Sequence, residues 1–262
     1  MCIINEAIFA NIFHLLYNTY GVGEMERLSK IISNSGYVSR RKADELISLG
    51  KVMVNGEKAI LGQKVSGNDV ITIDGKVLQQ TSGNYEYYLL NKPRGVVSTS
   101  SDDKGRKTIV DLIDTKARIY PVGRLDYDTT GAIILTNDGE LTNKLLHPSH
   151  NIDKVYLAKI KGIMNVEDLY KLKKGVKIDD FITHPAKVKI KSIDKKTGTS
   201  LVSLTIHEGH NHQVKKMFEV LGYDVVRLTR LSFAGLDVKS LKSGEYRKLS
   251  VKEVQTLYSL TK

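Results

Sequence analysis

Short apolar segments alternate with polar turns along residues 25–78, a pattern typical of a small domain that contains both helices and strands. The pattern predicts a short helix over 27–33 and a second over 40–49, with Ser39 as its cap. Two strand-like segments follow, and each ends in a dipeptide that favours a tight hairpin. The dipeptides are Asn55-Gly56 and Asp74-Gly75.

The larger remainder, 87–262, follows a polar linker at 79–86 and mixes helical and strand periodicities. Its apolar run at 132–135 is short enough for a buried strand, and residues 154–160 alternate as a half-buried strand does. Two further strands are predicted at about 186–193 and 200–207, and helices at 139–146, 167–174 and 211–221. Ser250 and Glu253 form a capping box that opens a last helix. The chain is therefore predicted to be of the α+β class.

A polar, glycine-bounded loop, 123–131, leads directly into the apolar run. It places the carboxylate of Asp126 on a loop anchored to a core strand, where reactive groups tend to lie. A solvated turn is the simplest alternative. Calcium is a second alternative, since Asp126, Asp128 and Thr130 mimic the start of an EF-hand loop. We reject calcium because the twelfth position, which should be glutamate, is Asn137.

The net charge of the chain indicates what kind of partner it binds. The chain has 262 residues and a formal net charge of +11, which predicts a polyanionic partner, nucleic acid before an acidic membrane surface. The single cysteine, Cys2, excludes an internal disulfide and is typical of a reducing compartment. No apolar run approaches the length of a membrane span. We therefore expect a cytoplasmic protein with no membrane partner.

Residues 1–24 carry a rough helical stripe of apolar residues that includes Ile8 and Phe13. No basic start precedes the stripe and Glu6 lies near its beginning, so the segment is a poor signal peptide. Two explanations stay open. Either the start was assigned too far upstream and the chain proper begins at Met25, or an amphipathic extension packs on the body.

Three cations, Arg40, Arg41 and Lys42, occupy the first turn of the second predicted helix. Cations there oppose the positive end of the helix dipole, at a cost of about 0.3–1 kcal/mol each. Bound phosphates reverse that sign, because they favour both the cations and the free amide groups. A solvated face is the alternative, and we favour RNA contact.

The loop and its strand carry a family resemblance. Gly123-Arg124-Leu125-Asp126, a threonine three residues on, a glycine five residues on, an apolar run and Thr136-Asn137-Asp138-Gly139 resemble the active-site motif of RNA pseudouridine synthases. More narrowly, they resemble the RsuA/RluB branch, which modifies ribosomal RNA. The resemblance extends from about Met25 to the end of the chain. It implies an alpha-L RNA-binding domain over 25–78, then a catalytic domain over 87–262 with a mixed, mainly antiparallel sheet.

The same resemblance implies three catalytic residues. Asp126 matches the catalytic aspartate, and Tyr156, two residues after Lys154, matches the tyrosine that packs against the target uracil. The family's Glu-Gly-Arg-Asn-x-Gln-Val-Arg-Arg-Met is Glu-Gly-His-Asn-His-Gln-Val-Lys-Lys-Met here, at 208–217. Lys215 thus replaces the arginine that pairs with the aspartate, and it supplies a charge without arginine's planar fork. Helical phase places Lys215 nearer the core and Lys216 in solvent.

The predicted RNA-contacting set is drawn from both predicted domains and is mainly basic. It consists of Arg27, Ser39, Arg40, Arg41, Lys42, Lys92, Arg94, Arg124 and His212, with Arg227 and Arg230 as further candidates. Lys92 and Arg94 belong to a segment that resembles the family's Asn-Lys-Pro-x-Gly motif beside the active-site cleft. Histidines at 207, 210 and 212 also invite a zinc site, but their spacing does not fit a His-Glu-x-x-His helix, and we favour contact with phosphate or base.

The resemblance implies a cofactor-free, metal-free isomerase, a monomer, that converts a uridine of ribosomal RNA to pseudouridine. In its opening and length the chain resembles the RluB type more closely, and this resemblance favours large-subunit RNA. The target nucleotide must leave its stack to be reached. Two alternatives belong to other classes of protein. One is a ribosome-assembly factor that binds RNA without turnover, and the other is a metal-dependent nuclease that uses Asp126, Asp128 and the histidines.

Overall fold

The structure is a computed structural model that describes residues 25–79 and 85–262. The predictions for residues 1–24 and for most of the linker lie outside the described residues. The chain divides into two units, and the second begins at Tyr85. In the described ranges, no helix is long and apolar enough to cross a membrane.

The first unit follows the predicted order of helices and hairpins. Its helices are α1 (Leu28–Asn34) and α2 (Arg40–Ser48), and its strands are β1 (Glu26–Arg27), β2 (Val52–Val54), β3 (Glu57–Lys58), β4 (Lys64–Val65), β5 (Ile71–Ile73) and β6 (Lys76–Val77). Strands β3, β2, β5 and β6 form one antiparallel sheet in that order, and β1 pairs with β4. Both predicted turn dipeptides have positive φ, as tight hairpins require.

Helix α2 is held at its start and along one face. The Ser39 hydroxyl accepts a hydrogen bond from the Lys42 amide at 3.2 Å, which confirms the predicted cap. Ala43, Leu46 and Ile47 face the core of this unit. The three cations of the first turn are exposed, so the folded unit presents them to solvent.

The second unit is built on one large sheet. Its strands are β7 (Tyr87–Lys92), β8 (Tyr120–Pro121), β9 (Thr130–Thr136), β10 (Lys154–Lys161), β11 (Lys177–Ile178), β12 (Phe181–Ile182), β13 (Lys187–Asp194), β14 (Thr199–Ile206), β15 (Val225–Phe233), β16 (Leu236–Asp237) and β17 (Tyr246–Lys248). The large sheet has the order β13-β14-β10-β15-β9-β7-β17, with β8 paired to β9 and β16 paired to β15. Strands β11 and β12 pair with each other in a separate two-stranded sheet. The β15–β9 pairing is parallel and the others are antiparallel, so the predicted mixed, mainly antiparallel sheet is confirmed.

Helices cover parts of both faces of this sheet. They are α3 (Gly139–Leu146), α4 (Val166–Lys174), α5 (Gln213–Glu219) and α6 (Val251–Ser259). Helix α5 begins two residues later than predicted, because His212 has φ 55° and a left-handed residue cannot continue a right-handed helix. The capping box predicted for α6 is present, since Ser250 and Glu253 bond reciprocally.

Strand β9 lies between two apolar cores. Ile133 and Leu135 join a cluster that includes Phe218 of α5, whereas Ala132 and Ile134 join a second cluster with Leu141 of α3. A strand buried on both faces reads as a continuous apolar run instead of an alternating one. This is why the sequence pattern identifies β9 so readily, and why the loop before it has a rigid attachment.

Gly131 allows the parallel pairing of β9 with β15. It lies opposite Arg230 with φ +108°, and a Cβ atom built on it would stand 2.1 Å from the Arg230 carbonyl oxygen. Real Cβ atoms do not approach backbone so closely, so any side chain here must push the two strands apart. Glycine is therefore required where the polar loop enters the sheet.

Gly131→Ala should lower the free energy of unfolding by about 2–5 kcal/mol, the combined cost of a positive φ and of overpacking. Gly198→Ala is the matched control, because Gly198 also has positive φ (+60°) but nothing within 4 Å of the added Cβ. The control should lose about 1–2 kcal/mol. Chemical denaturation of the two variants measures both losses, and equal losses would refute the close approach.

Candidate active site

The loop that carries Asp126 is fixed through its backbone. The Ser98 hydroxyl donates to the Leu125 carbonyl oxygen at 2.7 Å and accepts from the Leu125 amide at 3.1 Å. The Thr129 amide donates to the Asp126 carbonyl oxygen at 3.1 Å, which closes a turn. The side chain of Asp126 is thus free to face the pocket while its main chain is held.

The buried side chain of Lys92 also holds the backbone of the Asp126 loop. The three nearest acceptors of its ammonium group are the carbonyl oxygens of Thr129 at 2.9 Å, Asp126 at 3.0 Å and Pro93 at 3.2 Å, and the carbonyl oxygen of Tyr127 lies farther off at 3.5 Å. An ammonium has three N–H donors, so all three are used inside the protein. Burial lowers the pKa of Lys92 to about 8, against the opposing charges of Asp126 and Asp128. Lys92 therefore acts as an internal clamp on the Asp126 loop.

This location corrects the sequence prediction for Lys92. The sequence places this residue with Arg94 among the RNA contacts, but its side chain is 0% exposed, whereas Arg94 is exposed in the same turn. Arg230 is corrected for the same reason. It is 2% exposed, and its Nε donates to the Ala132 carbonyl oxygen at 2.7 Å. Neither side chain can reach RNA without leaving the core.

The side chains of Lys215 and His212 flank the carboxylate of Asp126. Lys215 Nζ lies 3.3 Å from Oδ2, and His212 Nε2 lies 3.5 Å from Oδ1. Lys215 lies in the first turn of α5, and His212 immediately precedes this helix. Lys216 differs from its prediction, because it is not free in solvent but pairs with Asp179 at 2.5 Å. The two neighbouring lysines thus serve different carboxylates.

Asp128 shares the Lys215 ammonium with Asp126, a contact that sequence reasoning missed. Its Oδ1 accepts from Lys215 Nζ at 2.7 Å, a shorter distance than that to Asp126. Burial by itself lowers the pKa of Lys215, but hydrogen bonding to Asp128 and the charge of Asp126 outweigh burial and raise it. The hydrogen bond from Lys215 in turn lowers the pKa of Asp128. At neutral pH one cation therefore sits between two carboxylates.

The pocket beside Asp126 has an apolar floor and a polar rim. Tyr156, Ile206, Val214 and Leu228 form much of the floor, and they come from β10, β14, α5 and β15. Arg124, Asp126 and His212 stand at the rim. Tyr156 is 8% exposed, so its ring is available from the pocket alone. A flat apolar-faced group fits the floor while the carboxylate approaches its edge.

The histidine loop that forms one wall is braced by Gln213. Its side-chain oxygen accepts from the His210 amide at 3.0 Å, and its Nε2 donates to Glu208 at 2.5 Å. Glu208 also accepts from the His184 amide at 2.9 Å. These bonds hold His212 in its left-handed conformation beside Asp126.

The predicted RNA-contacting residues fall in both units. Arg94, Arg124 and His212 are exposed near the Asp126 loop or in the segments packed around it. Arg27, Arg40, Arg41 and Lys42 are exposed in the first unit, and Ser39 there serves as the cap of α2. Lys154 is mostly enclosed, and its Nζ donates to the His207 carbonyl oxygen at 2.6 Å. Burial lowers the pKa of Lys154 to about 8.

The fold of the second unit, with its aspartate loop entering a mixed sheet, defines a class of enzyme. A crystal structure of a pseudouridylate synthase matches with a TM-score of 0.63 and 32% identity, over 88% of this chain and 99% of that one. A family model described as RNA pseudouridylate synthase matches residues 86–220, and a model described as S4 domain matches residues 26–71. The class is thus that of enzymes that form pseudouridine in RNA.

Named relatives agree with this class. The ribosomal large subunit pseudouridine synthase B of Bacillus subtilis is 50% identical over 238 residues, which are 90% of this chain and 97% of that protein. The dual-specificity RNA pseudouridine synthase RluF of Escherichia coli is 35% identical over 235 residues, which are 89% of this chain and 79% of that protein. The chain belongs to the RNA pseudouridine synthase family and carries an S4 domain at its amino-terminal side.

Because Lys92 is buried, its replacement should affect stability and turnover but not the salt dependence of RNA binding. Lys92→Met should lower the free energy of unfolding by about 1–3 kcal/mol, because three carbonyl oxygens lose their donor. Turnover should fall as well, because the Asp126 loop is no longer fixed. The salt dependence of RNA binding should not change, since Lys92 does not reach solvent.

Arg94→Gln is the matched control in the same turn. It should leave stability unchanged and make RNA binding less sensitive to salt, since one exposed cation no longer neutralises a phosphate. Filter binding across a salt series, with thermal unfolding, separates the two variants. A reduced salt slope in Lys92→Met would restore the sequence prediction that Lys92 contacts RNA.

Proposed function

We propose that this protein isomerises a specific uridine of ribosomal RNA to pseudouridine, with Asp126 as the catalytic nucleophile. The observation that supports this most directly is the carboxylate of Asp126 at the rim of an apolar-floored pocket, with Lys215 3.3 Å away. A nearby cation favours the ionised, nucleophilic form of a carboxylate. The relative from B. subtilis, named for the large ribosomal subunit, favours large-subunit RNA as the substrate.

Each pocket residue has a role in the proposed reaction. The target nucleotide leaves its stack and enters the pocket, with Arg124 holding the backbone or filling the vacated place. Asp126 attacks the nucleotide, and the glycosidic bond breaks with its electron pair left on uracil N1. The detached uracil turns so that its C5 bonds to the sugar, and the bond to Asp126 breaks. C5 then loses its proton to water, and N1 takes up a proton. Tyr156 packs against the uracil and retains it between these steps. Uridine and pseudouridine are isomers, so the proposed reaction consumes no oxidant or reductant.

The proposal also covers how the first unit binds RNA, where the protein acts and its oligomeric state. The exposed cations at the start of α2 bind RNA phosphates, assisted by the helix amide groups. The protein acts in the cytoplasm as a monomer.

A metal-dependent nuclease is not favoured, because Asp126 and Asp128 share the ammonium of Lys215. A metal ion between these carboxylates would have to displace that cation.

Asp126→Asn should abolish turnover and largely retain RNA binding, since it keeps the shape of the side chain but removes the anion. Tritium release from ribosomal RNA labelled at uridine C5 measures turnover, and mapping pseudouridines in cells with and without the gene identifies the site. Binding by the variant without release separates the enzyme from a non-catalytic assembly factor. Substantial release by the variant would remove Asp126 from the nucleophile role.

Turnover by variants of the two neighbouring lysines tests the cation beside Asp126. Lys215→Met should lower kcat/KM severely, because Asp126 and Asp128 lose the cation that lies between them. Lys215→Arg should remain active. Lys216→Met is the matched control and should change activity modestly, since Lys216 pairs with Asp179 instead. A severe defect in Lys216→Met with a mild one in Lys215→Met would reverse the assignment.

A further inference from the structure

The large sheet has a basic face that the pocket does not use. Along β10, Tyr156 and Ala158 turn toward the pocket side, so Leu157 and Lys159 turn the opposite way. On β15, Leu228 belongs to the pocket side and Arg227 to the opposite one. The strand register therefore defines a second face, and we call it the back face of β13, β14, β10 and β15.

Strand pairing brings cations together on the back face. Lys159 lies directly opposite Arg227, and across β14 the same face continues to the edge strand β13. There Lys189 pairs with Ser203 and Lys187 with Thr205. Lys187, Lys189, Lys159, Lys161 and Arg227 are all exposed, and within the described part of the chain none of the five forms an ion pair.

Acidic residues do not balance this charge. Among the paired positions of the four strands, all of which are described, Asp194 is the acid on the back face, and it lies at the far end of β13. Its carboxylate accepts the amides of Lys196 and Thr197 in the adjoining turn. Hydrogen bonds from Thr197 lower the pKa of Asp194, and the charge of Lys159 is a smaller cause. The other cations remain uncompensated.

Folding does not explain the arrangement. Lysines on an edge strand discourage edge-to-edge aggregation, which would account for Lys187 and Lys189. Lys159 and Arg227, however, lie on interior strands of the sheet, where no edge needs protection. Their direct opposition is a like-charge cross-strand pair, which destabilises an antiparallel sheet. A bound polyanion would convert this unfavourable pair into a favourable contact.

We propose that the back face is a second RNA-binding surface, which holds the phosphate backbone of a segment away from the target uridine. This rests on the proposed function, since it assumes an RNA substrate large enough to reach both faces. Adjacent strands are about 4.8 Å apart, so the cations of β13 and β15 span about 14 Å. A nucleic-acid backbone presents several phosphates over that length. Ser203 and Thr205 lie between the cations on this face, beside the half-buried Leu157 and Leu201. The longer lysine and arginine side chains can place their charged groups beyond these neighbours.

The test replaces four back-face cations together, in Lys159→Gln/Lys187→Gln/Lys189→Gln/Arg227→Gln. Four exposed lysines elsewhere in the second unit provide the matched control with the same charge change, in Lys173→Gln/Lys242→Gln/Lys252→Gln/Lys262→Gln. The probe is a fluorescent RNA duplex of about 20 base pairs, titrated across a potassium chloride series. The slope of log K against log salt falls by up to about 0.9 for each phosphate that the protein no longer neutralises.

The back-face variant should lower that slope by about 2 or more, and the control should change it little. With long ribosomal RNA, tritium release should show a raised KM and an unchanged kcat, because binding is weakened but the pocket is intact. Folding is checked with Arg227→Gln, whose melting temperature should equal or exceed that of the original protein, since a like-charge contact is relieved.

Equal slopes for the two variants would overturn the proposal. Loss of binding to vesicles of anionic phospholipid, with an unchanged RNA slope, would also overturn it and assign the face to a membrane. A lowered melting temperature in Arg227→Gln would show that the cation serves folding, and would count against it. Failure of the original protein to release tritium would refute the proposed function instead, because the duplex titration needs no turnover.

Discussion

The buried ammonium group of Lys92 is the contact on which the active site depends. Three carbonyl oxygens of two separate segments converge on it, at 2.9–3.2 Å. A buried cation is costly unless its donors are satisfied, and here the main chain of the Asp126 loop satisfies them. The loop and the lysine therefore fix one another, and the carboxylate of Asp126 is presented without its own side chain being used as an anchor.

The ammonium group of Lys215 lies at unequal distances from the two carboxylates of this fixed loop. Lys215 lies closer to Asp128 than to Asp126, so a single flexible ammonium serves two anions. An arginine could bind one carboxylate through two parallel donors, but a lysine is a point charge without that geometry. Asp128 gives the ammonium a second partner and a defined position. Lys215, at the position where the family resemblance leads to the expectation of an arginine, is thus held by a second carboxylate of the same loop.

The sheet itself separates two surfaces of opposite character. One face contributes Tyr156 and Leu228 to the apolar floor of the pocket, and the other exposes Lys159 and Arg227. Because side chains alternate along a strand, one stretch of sequence supplies both surfaces. The register that orients Tyr156 toward the pocket also turns Lys159 to the opposite face. A one-residue shift of β10 would therefore move both side chains to the wrong face.

The sequence by itself determined the elements with strong local signals. These include the doubly buried strand β9, the capping residues Ser39 and Ser250, and the paired turn glycines, because each is set by neighbours in the chain. It also identified the loop of Asp126 and the phase of Lys215. The tertiary structure decided which cations are buried, since Lys92 resembles Arg94 until distant carbonyl oxygens surround it. Asp128, Ser98 and the Lys159–Arg227 pair likewise acquire their contacts across 27 to 87 positions of chain or across strands, which no local pattern records.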